Sequence, residues 1–222
     1  MQLAERPSWR FEENNAGDLH LALFARDAAG LHVSPAPDIP PPLSVAIDQW
    51  LAAAPAAAAE QWAHWWRRLV RFQADEALPS RRPGPADDLS AFLDSMRERH
   101  MAAFDPPEFV SLTSMPELRA VARATFAAAD RSLMAAGPPD RTPSGAFDYH
   151  VVAAAAEGAI AEFGVDPGEI DGTVHVLDVD GAWSYLAAPG YALCSTPVAA
   201  DPAAAARLLR TVFASRLSRD GS

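Results

Sequence analysis

The 222-residue chain has no lysine and a single cysteine, Cys194. Without lysine there is no P-loop lysine, no Schiff-base lysine and no kinase-type phosphate-binding lysine, so whole enzyme classes drop out. One cysteine permits neither an intramolecular disulfide nor a cysteine-built zinc site. No apolar run reaches the roughly 18 residues that cross a bilayer. The opening residues MQLAERPSWRFEENN lack the apolar core of a secretion signal, so the expected location is the cytoplasm. Positive charge is scarce as well: 18 basic against 29 acidic side chains leave a formal net charge of −11. Such a field repels polyanions, which argues against nucleic acid and against anionic membrane as partners.

Alanine dominates the hydrophobic half, and every basic residue other than histidine is arginine. That pairing is the coding habit of a high-GC bacterial genome, and alanine in quantity favours close-packed helices over bulky cores. The length suffices for one sizeable core or two small ones.

The clearest sheet signal runs from Gly172 to Pro197. Thr173 to Val179, Ala182 to Ala187 and Tyr191 to Ser195 are rich in β-branched and aromatic residues, separated by Asp180-Gly181 and Ala188-Pro189-Gly190. Asp-Gly supplies positive φ for a tight hairpin and Pro-Gly presets another turn, which predicts a three-stranded antiparallel meander. In that register Val174, Val176, Asp178, Trp183 and Tyr185 share one face, with His175, Leu177, Val179 and Leu186 on the other. Both faces are apolar enough to be covered.

Upstream, Leu19 to Ala25 and Leu31 to Val33 flank Asp27-Ala28-Ala29-Gly30 and read as a second hairpin. The proline-dense stretch Ser34 to Pro42 is a stiff connector. Helices are expected over Ser44 to Leu51, from Pro55 to about Ala77, and after Asp87 with the stripe Leu89, Phe92, Leu93, Met96, His100 and Phe104. Phe109 to Thr113 reads as a short strand. Ser114 to Glu117 then opens a helix carrying Leu118, Val121, Thr125 and Leu133. A further helix spans Phe147 to Phe163 with Gly164 as a left-handed stop, and Asp201-Pro202 starts the last one. The expectation is an α+β chain in three parts: a mainly helical region with a β-hairpin (1–136), a Gly/Pro-rich linker (137–145) and a helix–three-strand–helix region (146–222).

Motifs that carry chemistry are thin. Asp178-Val179-Asp180-Gly181 superficially resembles the nucleophile motif of haloacid-dehalogenase-like phosphatases, but that site needs a lysine and a long downstream α/β domain. A calcium loop is poorly matched too, so the segment reads as a turn. Cys194, on an apolar strand, reads as core, and Ser195 lacks a nucleophile elbow. The six histidines show no paired ligand spacing, so no cofactor and no metal are expected. His64, Arg67, Arg68 and Arg71 recur at intervals of three and four opposite the stripe of Trp62, Trp65, Trp66, Leu69 and Phe72, giving a candidate partner-binding face.

The function expected from these features is a non-catalytic intracellular protein–protein interaction module: an adaptor, chaperone-like or immunity-like protein whose unknown partner is acidic or a further copy of the chain. The helix–meander–helix plan resembles small secretion-chaperone-like domains in architecture. The alternative is a small-ligand-binding protein or metal-independent enzyme. Its pocket would lie between the two regions, lined by some of Trp183, Tyr185, His175 and Asp178.

Overall fold

The computed structural model describes residues 8–14, 17–45, 47, 55–78, 89–135 and 146–217. In chain order the elements are β1 (Arg10–Asn14), α1 (Gly17–Ala28), α2 (Ala56–Glu76), α3 (Leu89–Ala103), α4 (Pro116–Ala135) and α5 (Tyr149–Phe163). They continue with β2 (Asp171–Leu177), β3 (Ser184–Ala188), β4 (Tyr191–Ser195), α6 (Thr196–Ala200) and α7 (Pro202–Leu217). The protein is α+β, helix-rich in its first part, with strands and then helices in its last. It divides into two compact units, Met1–Asn15 with Pro139–Ser222, and Ala16–Pro138. The expected linker 137–145, the loop 79–85, the cap at Asp87 and most of the helix from Ser44 to Leu51 lie outside the described residues.

The sheet is not the expected meander. Its order is β1-β2-β4-β3, with β1, β2 and β4 parallel and only β3 antiparallel to its neighbour β4. Burial explains the order. β4 is buried at every position and nearly all of β2 is, so both take central places, whereas β3 alternates exposed and half-buried residues and sits at an edge. The chain therefore leaves β2 through the longer connection 178–183 and returns on the far side of β4. Asp180-Gly181 lies in that connection, with Gly181 at φ +70°, instead of joining two paired strands. Pro189-Gly190 does close the β3–β4 hairpin, with Gly190 at φ +78°. The pairing also exchanges the faces assigned to β3: Leu186 lies beside Ala192 and hence Val174, while Tyr185 lies beside Leu193 and hence His175.

One sheet face packs on α5 and α7. Val174, Val176, Ala192 and Cys194 join Val152, Ala156, Ala159, Leu209, Val212 and Phe213 in one buried cluster. Gly164 ends α5 at φ +64°, and Asp201 accepts the Ala204 amide at 2.7 Å to cap α7. β1, which no pattern in its sequence RFEEN announces, is held twice. It pairs along β2, and the carboxylate of Glu13 accepts the amides of Ala146 and Phe147 at 2.6 and 3.2 Å.

In the second unit, Leu19 to Ala25, read as the first strand of a hairpin, lie in the helix α1, and Leu31 to Val33 form no strand. Gly30 does adopt a left-handed conformation, at φ +60°, but there it terminates a helix: the Leu31 amide reaches back to the Arg26 carbonyl at 2.9 Å. The run Leu19, Ala22, Leu23, Ala25 and Ala28 is buried and gives α1 a broad apolar face for packing on α2 and α4. Trp62, Trp65, Trp66 and Leu69 of α2 are fully buried, as their spacing predicts. The Trp62 indole donates to the Ala22 carbonyl and that of Trp66 to the Asp38 carbonyl, both at 2.7 Å. Arg26 grips the proline-rich connector by donating to the carbonyls of Pro40 and Pro41. The expected strand at Phe109 to Thr113 is a single 3-10 turn, Val110–Leu112.

Candidate interaction surfaces

The basic face of α2 is only partly available. Arg67 is paired with Asp38 at 2.6 Å. Arg68 is half-buried, donates weakly to the Ser111 carbonyl at 3.3 Å, and has its guanidinium pKa lowered by burial, against the charge of Asp105. His64 and Arg71 are exposed on the same face.

The residues considered for a pocket are spread over the sheet unit. His175 and Tyr185 point to one face but stand on either side of Leu193 on β4. Asp178 is exposed beyond the end of β2. Trp183 precedes β3; its carbonyl accepts the Ser195 amide at 2.9 Å and its own amide donates to the Ser195 hydroxyl at 3.1 Å. His175 is buried and hydrogen-bonded to the Tyr191 hydroxyl, and burial lowers its pKa to about 4. Cys194 is buried on the opposite face, where desolvation first and the charge of Glu13 second push its thiol up to about 12. Neither group is poised as a nucleophile or base at neutral pH. Among the described residues no group of three or more His, Cys, Asp or Glu side chains is placed to hold a metal ion.

Two further surfaces stand out. The first is α3. At its C-terminal end Ala103 and Phe104 are buried, Phe104 stacks on Trp65 at 6.3 Å, and His100 lies 5.8 Å from the Phe72 ring. Arg99 clamps this turn to α2 through both carboxylate oxygens of Glu76, at 2.6 and 3.0 Å. Other positions along the helix face outward: Leu89, Leu93 and Met101 are 60, 47 and 49 % exposed, and Met96 is exposed too. The second surface is a shallow groove of about 550 Å³ between α5 and α7. Ala154, Ala155, Gly158, Ala159 and Ala206 floor it, and His150, Arg207 and Arg210 border it. A further hollow of about 580 Å³ continues from His150 and Val151 past the exposed Tyr149.

Each surface leaves a trace in the sequence. Leu89, Leu93, Arg97 and Met101 recur every four residues, so an arginine stands inside an apolar ridge where a core helix would not put one. Gly158 sits mid-helix at a cost of roughly 1 kcal/mol relative to alanine, and a β-carbon there would meet nothing within 4 Å. The alanines of α5 and α7 let the two helices pack closely, as alanine in quantity favours, and leave the groove between them. No protein-family model, no curated protein and no solved structure matches this chain.

Proposed function

We propose that this chain is a non-catalytic cytoplasmic protein–protein interaction module, adaptor-like, chaperone-like or immunity-like, and that α3 is its principal docking face. The observation that carries the reading is the outward apolar ridge Leu89, Leu93 and Met101 on a helix that Arg99 clamps to α2 near its C-terminal end. Contiguous exposed apolar surface costs solubility and is kept where a partner covers it. Helix-in-groove recognition uses anchors at this spacing. The α2 arginines support the reading less, since Arg67 and Arg68 are engaged within the chain. Among the described residues no helix is long and apolar enough to cross a membrane, which is in keeping with a partner other than the lipid core.

Leu93→Glu tests the assignment. The expected result is an unchanged melting temperature together with loss of a stoichiometric partner that the wild-type chain retains in cross-linked cells. A fall in melting temperature of more than about 4 °C, the scale of a 1 to 2 kcal/mol folding defect in a chain of this size, would place Leu93 in the folded core and overturn it.

A further inference from the structure

We infer that the partner of α3 is α3 of a second copy, packed antiparallel; this rests on the interaction reading above. The argument comes from the order of side chains on the helix. One ridge carries Leu89, Leu93, Arg97 and Met101, and the adjacent ridge carries Ser90, Asp94 and Glu98, each at intervals of four. Two-fold antiparallel pairing centred between Leu93 and Arg97 sets Leu89 against the partner's Met101. It lays the aliphatic stem of Arg97 over the partner's Leu93, with the guanidinium in reach of the partner's Asp94. Symmetry repeats both contacts, as an isologous interface requires.

Charge selects this occupant. No ion pair engages Asp94 or Arg97 among the described residues, whereas the neighbouring Arg99 is held by Glu76. The antiparallel arrangement gives both unpaired charges a partner at once, while a parallel one would set Arg97 beside the partner's Arg97. The α5–α7 groove has no such self-complementarity. Its lining holds no acidic residue to meet Arg207 of a second copy, and Arg210 is already held by Glu162 at 2.8 Å. A four-turn helix buries less than the roughly 800 Å² per partner of a long-lived interface, so the dimer forms reversibly, with a dissociation constant in the micromolar range.

The test is sedimentation velocity on the full chain over about 1 to 200 µM, a range bracketing that affinity. The wild-type chain should shift from monomer to dimer. Leu93→Glu should remain monomeric, and Asp94→Arg alone and Arg97→Asp alone should each weaken the dimer about tenfold or more, with unchanged circular dichroism and melting. The double variant Asp94→Arg, Arg97→Asp restores opposite charges across the two-fold axis and should recover most of the affinity. A wild-type chain that stays monomeric throughout, or a double variant no better than the singles, overturns the inference. If the monomeric wild type still loses a different protein partner on Leu93→Glu, self-pairing is wrong and the docking role of α3 stands; if Leu93→Glu loses nothing, both fall.

Discussion

The Tyr191 hydroxyl lies 3.0 Å from Nδ1 of His175, a buried polar contact that ties β2 to β4 on the sheet face away from α5 and α7. Burial holds the imidazole neutral, so the pair acts as a cross-strand fastener in neutral solution.

A pH dependence of stability follows. Above pH 6.5 the ring is neutral in both the folded and the unfolded chain, and the full stability is present. As the pH falls from 6.5 towards about 4, the unfolded chain binds a proton that the buried ring refuses. Over that window the fold should lose on the order of 3 kcal/mol from this group. Urea titrations across it should show the decline, and His175→Gln should remove most of it. An equally steep decline in His175→Gln would assign the effect to other groups. Tyr191→Phe at neutral pH should cost about 1 to 2 kcal/mol through the stranded ring nitrogen.

Asp18, in the first turn of α1, should behave with the opposite sign. Burial raises its carboxyl pKa despite hydrogen bonds from Gln73 and the Leu19 amide and the charge of His100. The stability tied to its protonated form is fully present below the unfolded carboxyl value of 3.8 and lost as the pH rises through the raised folded value. Asp18→Asn should therefore be neutral to stabilising near pH 7, with a gain that shrinks on acidification. Destabilisation near pH 7 would show that the Gln73 and Leu19 contacts outweigh the burial.

Two glycines should fail for different reasons. A β-carbon on Gly172 would stand 2.8 Å from Val212 Cγ1 and 2.9 Å from Phe213 Cε1, so Gly172→Ala forces α7 off the sheet and should cost about 1 to 3 kcal/mol. Gly181 has open space but φ +70°, so Gly181→Ala should cost about 1 kcal/mol through backbone conformation alone. Melting curves that ranked Gly181→Ala the more damaging would contradict the close approach of α7.

Cys194 should resist alkylation in the folded chain. Its thiol is fully buried and pushed up to about 12, so iodoacetamide near pH 8 should label it only at the rate of unfolding. Fast stoichiometric labelling under native conditions would mean that the sheet opens locally.

The helices were legible wherever local chemistry decides them. Pro55, Gly164 and Asp201-Pro202 mark ends that caps and backbone preferences set within a few residues. The hairpin read into α1 failed because Gly30 is left-handed in either element, and only tertiary packing of Leu19 to Ala28 decides between them. The meander failed because Asp-Gly states that the chain turns, not which strand lies beside it. Pairing depends on contacts distant in sequence, and β1, with three charges in RFEEN, has no strand signature at all. The α3 stripe shows the same limit for the candidate site: its spacing gave a helix with an apolar face but not what faces it.

β1 must also wait for its neighbour. Arg10 pairs in register with Asp171, about 160 residues later, which at ribosomal speeds is a delay of roughly 8 to 30 s. Everything in Ala16–Pro138 emerges during that interval and can fold first, while β1 stays an unpaired ribbon. Arg10, Glu12 and Glu13 suit such a segment, because charged edges discourage pairing with other nascent chains. Translation rate thus becomes a variable of assembly: slowing codons between α4 and β2 would lengthen the exposure of β1 without altering a single contact of the finished sheet.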